Sequence, residues 1–188
     1  MKIFLLNAPP LRQIGVVGQI YPPLGILYLS AFVKKKNPQL KIKALDGYHH
    51  GESKILEEIK NFEPDILGVS FTTQAARGAY KIINGIKKIL PEILVVCGGP
   101  HPTVLPEEVL RVSNSDIVVL GEGEETFFEV VRNYLDKNKV KLYDIEGTVV
   151  KNGMEIKRNP LRPIIKNLDD IPFPDRSLLN IMKYPGYH

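Results

Sequence analysis

The sequence predicts a doubly wound α/β fold, with five parallel strands in the order 2-1-3-4-5 and helices on both faces. Two observations carry this. Short β-branched runs alternate with amphipathic runs through residues 1–140 of the 188, and such alternation implies right-handed β-α-β crossovers onto a parallel sheet. The first run, residues 2–6, is apolar throughout rather than alternating, as a strand buried on both faces must be.

The elements follow in order. After the strand at 2–6, Pro22 and Pro23 open a helix through Leu24-Gly25-Ile26-Leu27-Tyr28-Leu29-Ser30-Ala31-Phe32-Val33 that ends at Asn37-Pro38. Residues 41–45 form a second strand. Residues 53–62 form a helix, with Ile55, Leu56, Ile59 and Phe62 at three-to-four spacing. A third strand spans 65–70 and a helix spans 75–90, closed by Pro91. A fourth strand at 93–97, a short helix at 106–112, a fifth strand at 116–120 and a helix at 124–136 complete a domain of residues 1–140. Residues 146–151 and 154–158 read as a β-hairpin about Asn152-Gly153, which supplies the positive φ angles of a two-residue turn. This sets 141–160 apart as a hairpin extension. Beyond Pro160 the periodicity fades among Pro163, Pro172, Pro174 and Pro185, so 161–188 reads as a linker, mobile or docked on a neighbour.

Composition bounds the function. Hydrophobic residues make up 44% and charged residues 24%, a globular balance that excludes intrinsic disorder. No apolar run approaches the ~20 residues of a membrane span. Asn7, Pro9 and Pro10 interrupt the N-terminal apolar run too early for a secretory signal, which points to a cytoplasmic protein without membrane partners. The net charge is +4, and Lys34-Lys35-Lys36 reads as a solvated helix end rather than a nucleic-acid footprint. Cys97 is the single cysteine, expected buried and inert. One thiol builds neither a disulfide nor a cysteine-ligated metal centre.

In a doubly wound sheet, ligands bind outside the carboxyl ends of the strands, near the switch point. The first strand is followed there by about fifteen residues of loop, where 2–6 are typical; this loop holds Arg12 and Gln13. The third strand ends in Ser70-Phe71-Thr72-Thr73-Gln74, more hydroxyls than one helix cap requires. The fourth ends in Gly98-Gly99-Pro100-His101-Pro102-Thr103, where paired glycines permit close approach to bare backbone. His101, alone between prolines, reads as a polar contact rather than a metal ligand. The fifth ends in Gly121-Glu122-Gly123-Glu124-Glu125-Thr126. Glu124 and Glu125 already complement the dipole of the next helix and would repel phosphate. Glu122 and the exposed backbone suit a ligand rich in hydroxyl or amide donors. A phosphorelay receiver would place acids where Asn7 and Ser70 stand, and a dinucleotide dehydrogenase would place glycines where Pro9-Pro10 stands.

The ordered set Pro22-Pro23-Leu24-Gly25, Gly68-Val69-Ser70-Phe71-Thr72-Thr73, Gly98-Gly99-Pro100-His101-Pro102-Thr103 and Gly121-Glu122-Gly123-Glu124-Glu125-Thr126 resembles the N-terminal cobalamin-binding domain of B12-dependent radical SAM enzymes. Residues 168–176 look like the connector before the radical SAM barrel. The resemblance implies a flavodoxin-like or Rossmann-like domain with a cobalamin whose nucleotide tail enters a cleft at the carboxyl edge. It assigns that cleft to Ser70, Thr72, Thr73, Gly98, Gly99, His101, Thr103, Gly121, Glu122 and Gly123, with Arg12 and Gln13 near the corrin. Gly99 is expected to leave the space that the tail fills.

The resemblance further implies that this chain is non-catalytic by itself, and that it presents the corrin to a C-terminal radical SAM domain in the same polypeptide. That domain would carry a [4Fe–4S] cluster and S-adenosylmethionine, with methyl transfer as the reaction class and the substrate unspecified. The loop after the first strand lacks the Asp-x-His-x-x-Gly motif of many cobalamin proteins. Asp46-Gly47-Tyr48-His49-His50-Gly51 imitates it in the wrong place, so His49 and His50 read as surface residues and no protein metal ligand is assigned. The alternative is a flavodoxin-like regulatory or ligand-binding domain that does not use cobalamin.

Overall fold

A computed structural model describes residues 1–11 and 21–187. Its centre is five parallel strands: β1 (Lys2–Asn7), β2 (Lys41–Asp46), β3 (Ile66–Ser70), β4 (Leu94–Gly98) and β5 (Ile117–Val119). They lie in the order β2-β1-β3-β4-β5 that the sequence implies. Around them pack α1 (Leu24–Lys36), α2 (Glu52–Phe62), α3 (Ala76–Ile89), α4 (Pro100–Val104), α5 (Pro106–Val112), α6 (Glu124–Leu135) and α7 (Lys139–Leu142).

The pleat of β1 divides the core in two. Phe4 and Leu6 join Ile55, Ile59, Ile83 and Val109 under α2, α3 and α5. Ile3 and Leu5 join Ile26, Leu27, Phe127 and Val130 under α1 and α6. Alternate side chains of a strand face opposite sides, so both faces of this one must be apolar. Each fully buried Leu, Ile or Phe contributes about 1.5–3 kcal/mol.

The strands end together. Asp46 pairs with Asn7, Asn7 with Ser70, and Ser70 with Gly98, a single register row along the carboxyl edge.

Three features differ from the sequence reading. The hairpin, β6 (Thr148–Asn152) and β7 (Glu155–Arg158), is not set apart from the domain. β6 pairs antiparallel with β5 and extends the sheet to seven strands. It covers the open edge of β5, and Val149 and Val150 enter the two cores, one on each face. Its turn is shifted by one residue. Asn152 pairs with Glu155, leaving Gly153-Met154 as the loop, and only Gly153 has positive φ (+61°), the pattern of a II′ turn. Residues 100–104, to which the sequence reading gave no helix, form α4, because Pro100 at the first helical position needs no donor there.

The segment after residue 160, read as a linker, lies along the domain itself. Asp175 N–H donates to Leu27 O (3.2 Å), and Lys34 Nζ meets Asp175 Oδ2 at 3.0 Å. Leu178 and Leu179 pack against the core under α1 and α6, and Tyr184 is 2% exposed. Among the described residues no helix is long and apolar enough to cross a membrane.

Candidate functional site

A cleft of about 230 Å³ opens at the carboxyl ends of β1, β3, β4 and β5, beneath the first turns of α1 and α6. The strands contribute Leu5, Gly68, Val96 and Val119, while the helices contribute Gly25, Ile26, Leu29 and Phe127. Ser70, Gly98, Gly99, Gly121, Glu122, Gly123 and Glu124 stand at the rim, and Val69 and Cys97 also line it. The interior is mostly apolar, and its polar groups lie at strand ends, in the loop after β5 and at the start of α6.

Two glycines make the space. A Cβ on Gly98 would find only Val119 O, at 3.9 Å, and a Cβ on Gly25 would find nothing within 4 Å. Both would project into the open. Gly99 differs, and here the sequence expectation needs correcting. It has φ +97°, and a Cβ there would stand 2.8 Å from Ser70 Oγ and 3.2 Å from Phe71 N and O. Its lack of a side chain is required first by the close passage of β3 past β4, and Gly99 also borders the cleft. Gly121 also needs a left-handed backbone (φ +64°), which turns the chain from β5 toward α6.

The predicted site residues separate into groups. Ser70, Gly98, Gly99, Gly121, Glu122 and Gly123 come together around the cleft. Thr103 stands beside it, its Oγ1 accepting from Gly121 N–H at 3.2 Å, so it fixes the β5 loop. Glu122 is already engaged, its Oε2 accepting from Ile165 N–H at 2.7 Å. Thr72 is exposed, and its side chain makes no capping bond to the turn it precedes. Arg12 and Gln13 lie outside the described residues. Glu124 and Glu125 occupy the first turn of α6, where the helix dipole favours them.

Thr73 and His101 belong to a different constellation. His101 is buried (4% exposed), with Nε2 2.9 Å from the Tyr80 hydroxyl and Nδ1 3.2 Å from Thr73 Oγ1. Its ring lies 5.7 Å from that of Phe71. Both ring nitrogens are thus used inside the protein, tying α4 to α3 and to the end of β3. The Tyr80 phenol is pushed up to about 12, first by burial and then by the Glu108 charge.

Cys97 is buried, and burial pushes its thiol up to about 12. His49 is exposed, with Nε2 3.7 Å from Asp46 Oδ2, and His50 is partly exposed. Both border a second hollow of about 450 Å³, beside Pro9, Pro10 and Leu11 on the other flank of β1. Burial, followed by the Lys183 and His49 charges, holds His50 below its ordinary pKa. Among the described residues, no group of three or more acidic, His or Cys side chains is placed to hold a metal ion.

Sequence reasoning missed Gly25, Gly68, Leu29 and Phe127. A signal existed for the glycines. Each sits inside a regular element, where glycine costs about 0.5–1 kcal/mol relative to alanine and so calls for a packing or binding reason. For Gly68 the reason is packing, since a Cβ would stand 2.8 Å from Leu5 Cδ2. For Gly25 it is the cleft.

The family profile for the B12 binding domain matches residues 13–131. An uncharacterized methyltransferase of Pyrococcus horikoshii is 40% identical over 188 residues, covering 98% of this chain and 40% of that protein. The cobalamin-dependent radical SAM methyltransferase TokK of Streptomyces tokunonensis is 31% identical over 121 residues, covering 64% of this chain and 17% of that one. Among solved structures, the cobalamin-dependent S-adenosylmethionine radical enzyme OxsB, with aqua-cobalamin and S-adenosylmethionine bound, superposes with a TM-score of 0.81. It is 22% identical, and the match covers 97% of this chain and 25% of that one, so it speaks to the fold. The chain spans about two fifths of the length of the Pyrococcus relative. The profile covers more than half the chain, and the cleft lies at the carboxyl edge where that fold takes ligands: this chain belongs to the B12-binding domain family.

Proposed function

We propose that this domain holds a cobalamin by its nucleotide tail and presents the corrin to a radical SAM domain of the same polypeptide, in a cytoplasmic enzyme of the methyltransferase class. The observation that carries the reading is the glycine-walled cleft at the carboxyl edge. The residues fit the group. A mostly apolar slot free of side chains at Gly25 and Gly98 would leave room for the tail. Ser70 and the backbone around Gly121 and Gly123 offer hydrogen bonds to the sugar and amide groups that would lie at the rim.

When bound, the cobalamin supplies cobalt-centred methyl-transfer chemistry. The chain's own contribution is to bind, orient and exclude water. Ile26, Leu29 and Phe127 keep the slot dry, while Gly121 and Thr103 fix the loop that edges it. No side chain of this chain is assigned a catalytic step. Residues 161–188 then lead from the domain toward the radical SAM domain, which would carry its own [4Fe–4S] cluster and S-adenosylmethionine. Relatives named as methyltransferases support the reaction class.

Titration with hydroxocobalamin, followed by visible absorption, tests the reading. The expected result is saturable binding at micromolar concentration or tighter, with a shifted corrin spectrum. Absence of binding by this domain, both alone and joined to a radical SAM domain, would overturn it.

A further inference from the structure

The segment beyond residue 160 is tied down at both ends of the carboxyl edge. At the β5 end, Ile165 N–H donates to Glu122 and Arg162 Nε donates to Thr126 Oγ1 at 2.9 Å. At the β2 end, the Tyr184 hydroxyl donates to Asp46 Oδ2 at 2.9 Å. Between these points the segment lies along α1, through the bonds of Asp175 to Leu27 and Lys34 and of Lys35 Nζ to Asp170 O (3.2 Å). α1 in turn supplies Gly25, Ile26 and Leu29 to the cleft.

The β2 anchor is a buried polar cluster. Asp46 is 3% exposed and Asn7 8% exposed. Asp46 Oδ1 accepts from Asn7 Nδ2 at 2.9 Å and from Tyr48 N–H at 3.3 Å, while Oδ2 accepts from the Tyr184 hydroxyl and stands 3.7 Å from His49 Nε2. The His49 ring stands edge-on to Tyr184, with centroids 5.2 Å apart. A buried carboxylate needs its donors, and hydrogen bonds to charged groups are the strong ones. Asp46 also belongs to the register row that runs through Asn7 and Ser70 to Gly98, the lip of the cleft.

We infer that residues 161–184 form a strap that sets the width of the cleft by pressing α1 onto the sheet, with Tyr184 as its positioning residue on Asp46. The cleft's occupant is here taken as cobalamin, so the inference deepens that reading. It assigns Tyr184, Asp46 and Asp175 to the binding geometry although none of them lines the cleft.

Tyr184→Phe removes one hydroxyl and keeps the ring against His49. Amide hydrogen exchange in residues 28–33, whose N–H groups are bonded within α1, should then speed up by about tenfold or more, the effect of one lost charge-assisted bond. Exchange in α3 should stay unchanged. Asp175→Ala, which cuts the strap at its middle, should give the same pattern. Hydroxocobalamin should bind both variants at least fivefold more weakly than the parent, while Met154→Ala, at the exposed hairpin tip, should match the parent. Unchanged exchange in α1 in both variants would overturn the strap. Faster exchange with unchanged affinity would overturn its role in setting the cleft. A parent that binds no hydroxocobalamin, either alone or joined to a radical SAM domain, would instead defeat the cobalamin reading, and the exchange result would still decide the strap.

Discussion

Gly98 and Gly99 are adjacent, yet the structure predicts opposite consequences when each gains a side chain. Gly98→Val places three carbons where the nearest atom to the new Cβ is Val119 O at 3.9 Å. The backbone there is an ordinary β4 strand end without positive φ, so valine is tolerated, and its β propensity is favourable by up to about 1 kcal/mol. Thermal stability should therefore hold or rise slightly. The same carbons occupy a cleft of only about 230 Å³. Overpacking a close-fitting site costs about 1–3 kcal/mol, which corresponds to about 5- to 150-fold in Kd. Gly99→Ala reverses the pattern. Its φ of +97° disfavours any side chain, and its Cβ would crowd Ser70 Oγ at 2.8 Å against a fixed Phe71 backbone. Such strain costs about 1–3 kcal/mol of folding free energy, or roughly 2–12 °C in Tm for a chain of this size. Thermal melts followed by circular dichroism, with hydroxocobalamin titrations on the same samples, read both quantities. Parent-like affinity in Gly98→Val would refute the assignment of the slot, and a parent-like Tm in Gly99→Ala would refute the strain argument.

Other outcomes follow from the same geometry. With its thiol pushed up to about 12, Cys97 should react with iodoacetamide at pH 8 about a thousandfold more slowly in the folded chain than after denaturation, as mass spectrometry would show. Tyr80→Phe leaves His101 Nε2 buried without its partner and should cost about 1–3 kcal/mol in urea unfolding. Because the folded phenol titrates near 12 rather than 10, the stability it brings is complete below pH 10 and is lost as pH climbs toward 12. The gap between parent and Tyr80→Phe should close over that window. His50 has a lowered pKa, so the folded state favours its neutral form, and stability is lost as pH falls below 6.5 and through its folded value. His50→Gln should flatten that part of the stability profile in urea titrations repeated from pH 8 to pH 5.

Much of the site was legible because strand ends carry local signals. The apolar run of β1, the hydroxyls after β3 and the glycines after β4 and β5 each mark a position on the carboxyl edge without knowledge of its neighbours. The role of an individual residue was less legible. His101 and Thr73 look like ligand contacts in sequence, but they satisfy each other and Tyr80 across 21 to 28 residues of separation. Glu122 looks free, but the backbone of Ile165 already occupies it, 43 residues away. No periodicity reports such pairings.

Sequence alone determined the parallel order of five strands, because continuous apolar runs joined by amphipathic helices admit few other packings. It also placed glycine-rich loops at the carboxyl edge of the sheet, where the cleft opens. Only the tertiary structure decided which glycine makes space and which permits a turn, since that depends on what stands 3–4 Å from an absent Cβ. It likewise decided that the hairpin extends the sheet beside β5 and that the proline-rich end lies along the domain. That segment buries a few side chains at isolated points, Leu178, Leu179 and Tyr184, and single anchors without a period leave no trace that a reading of local pattern detects.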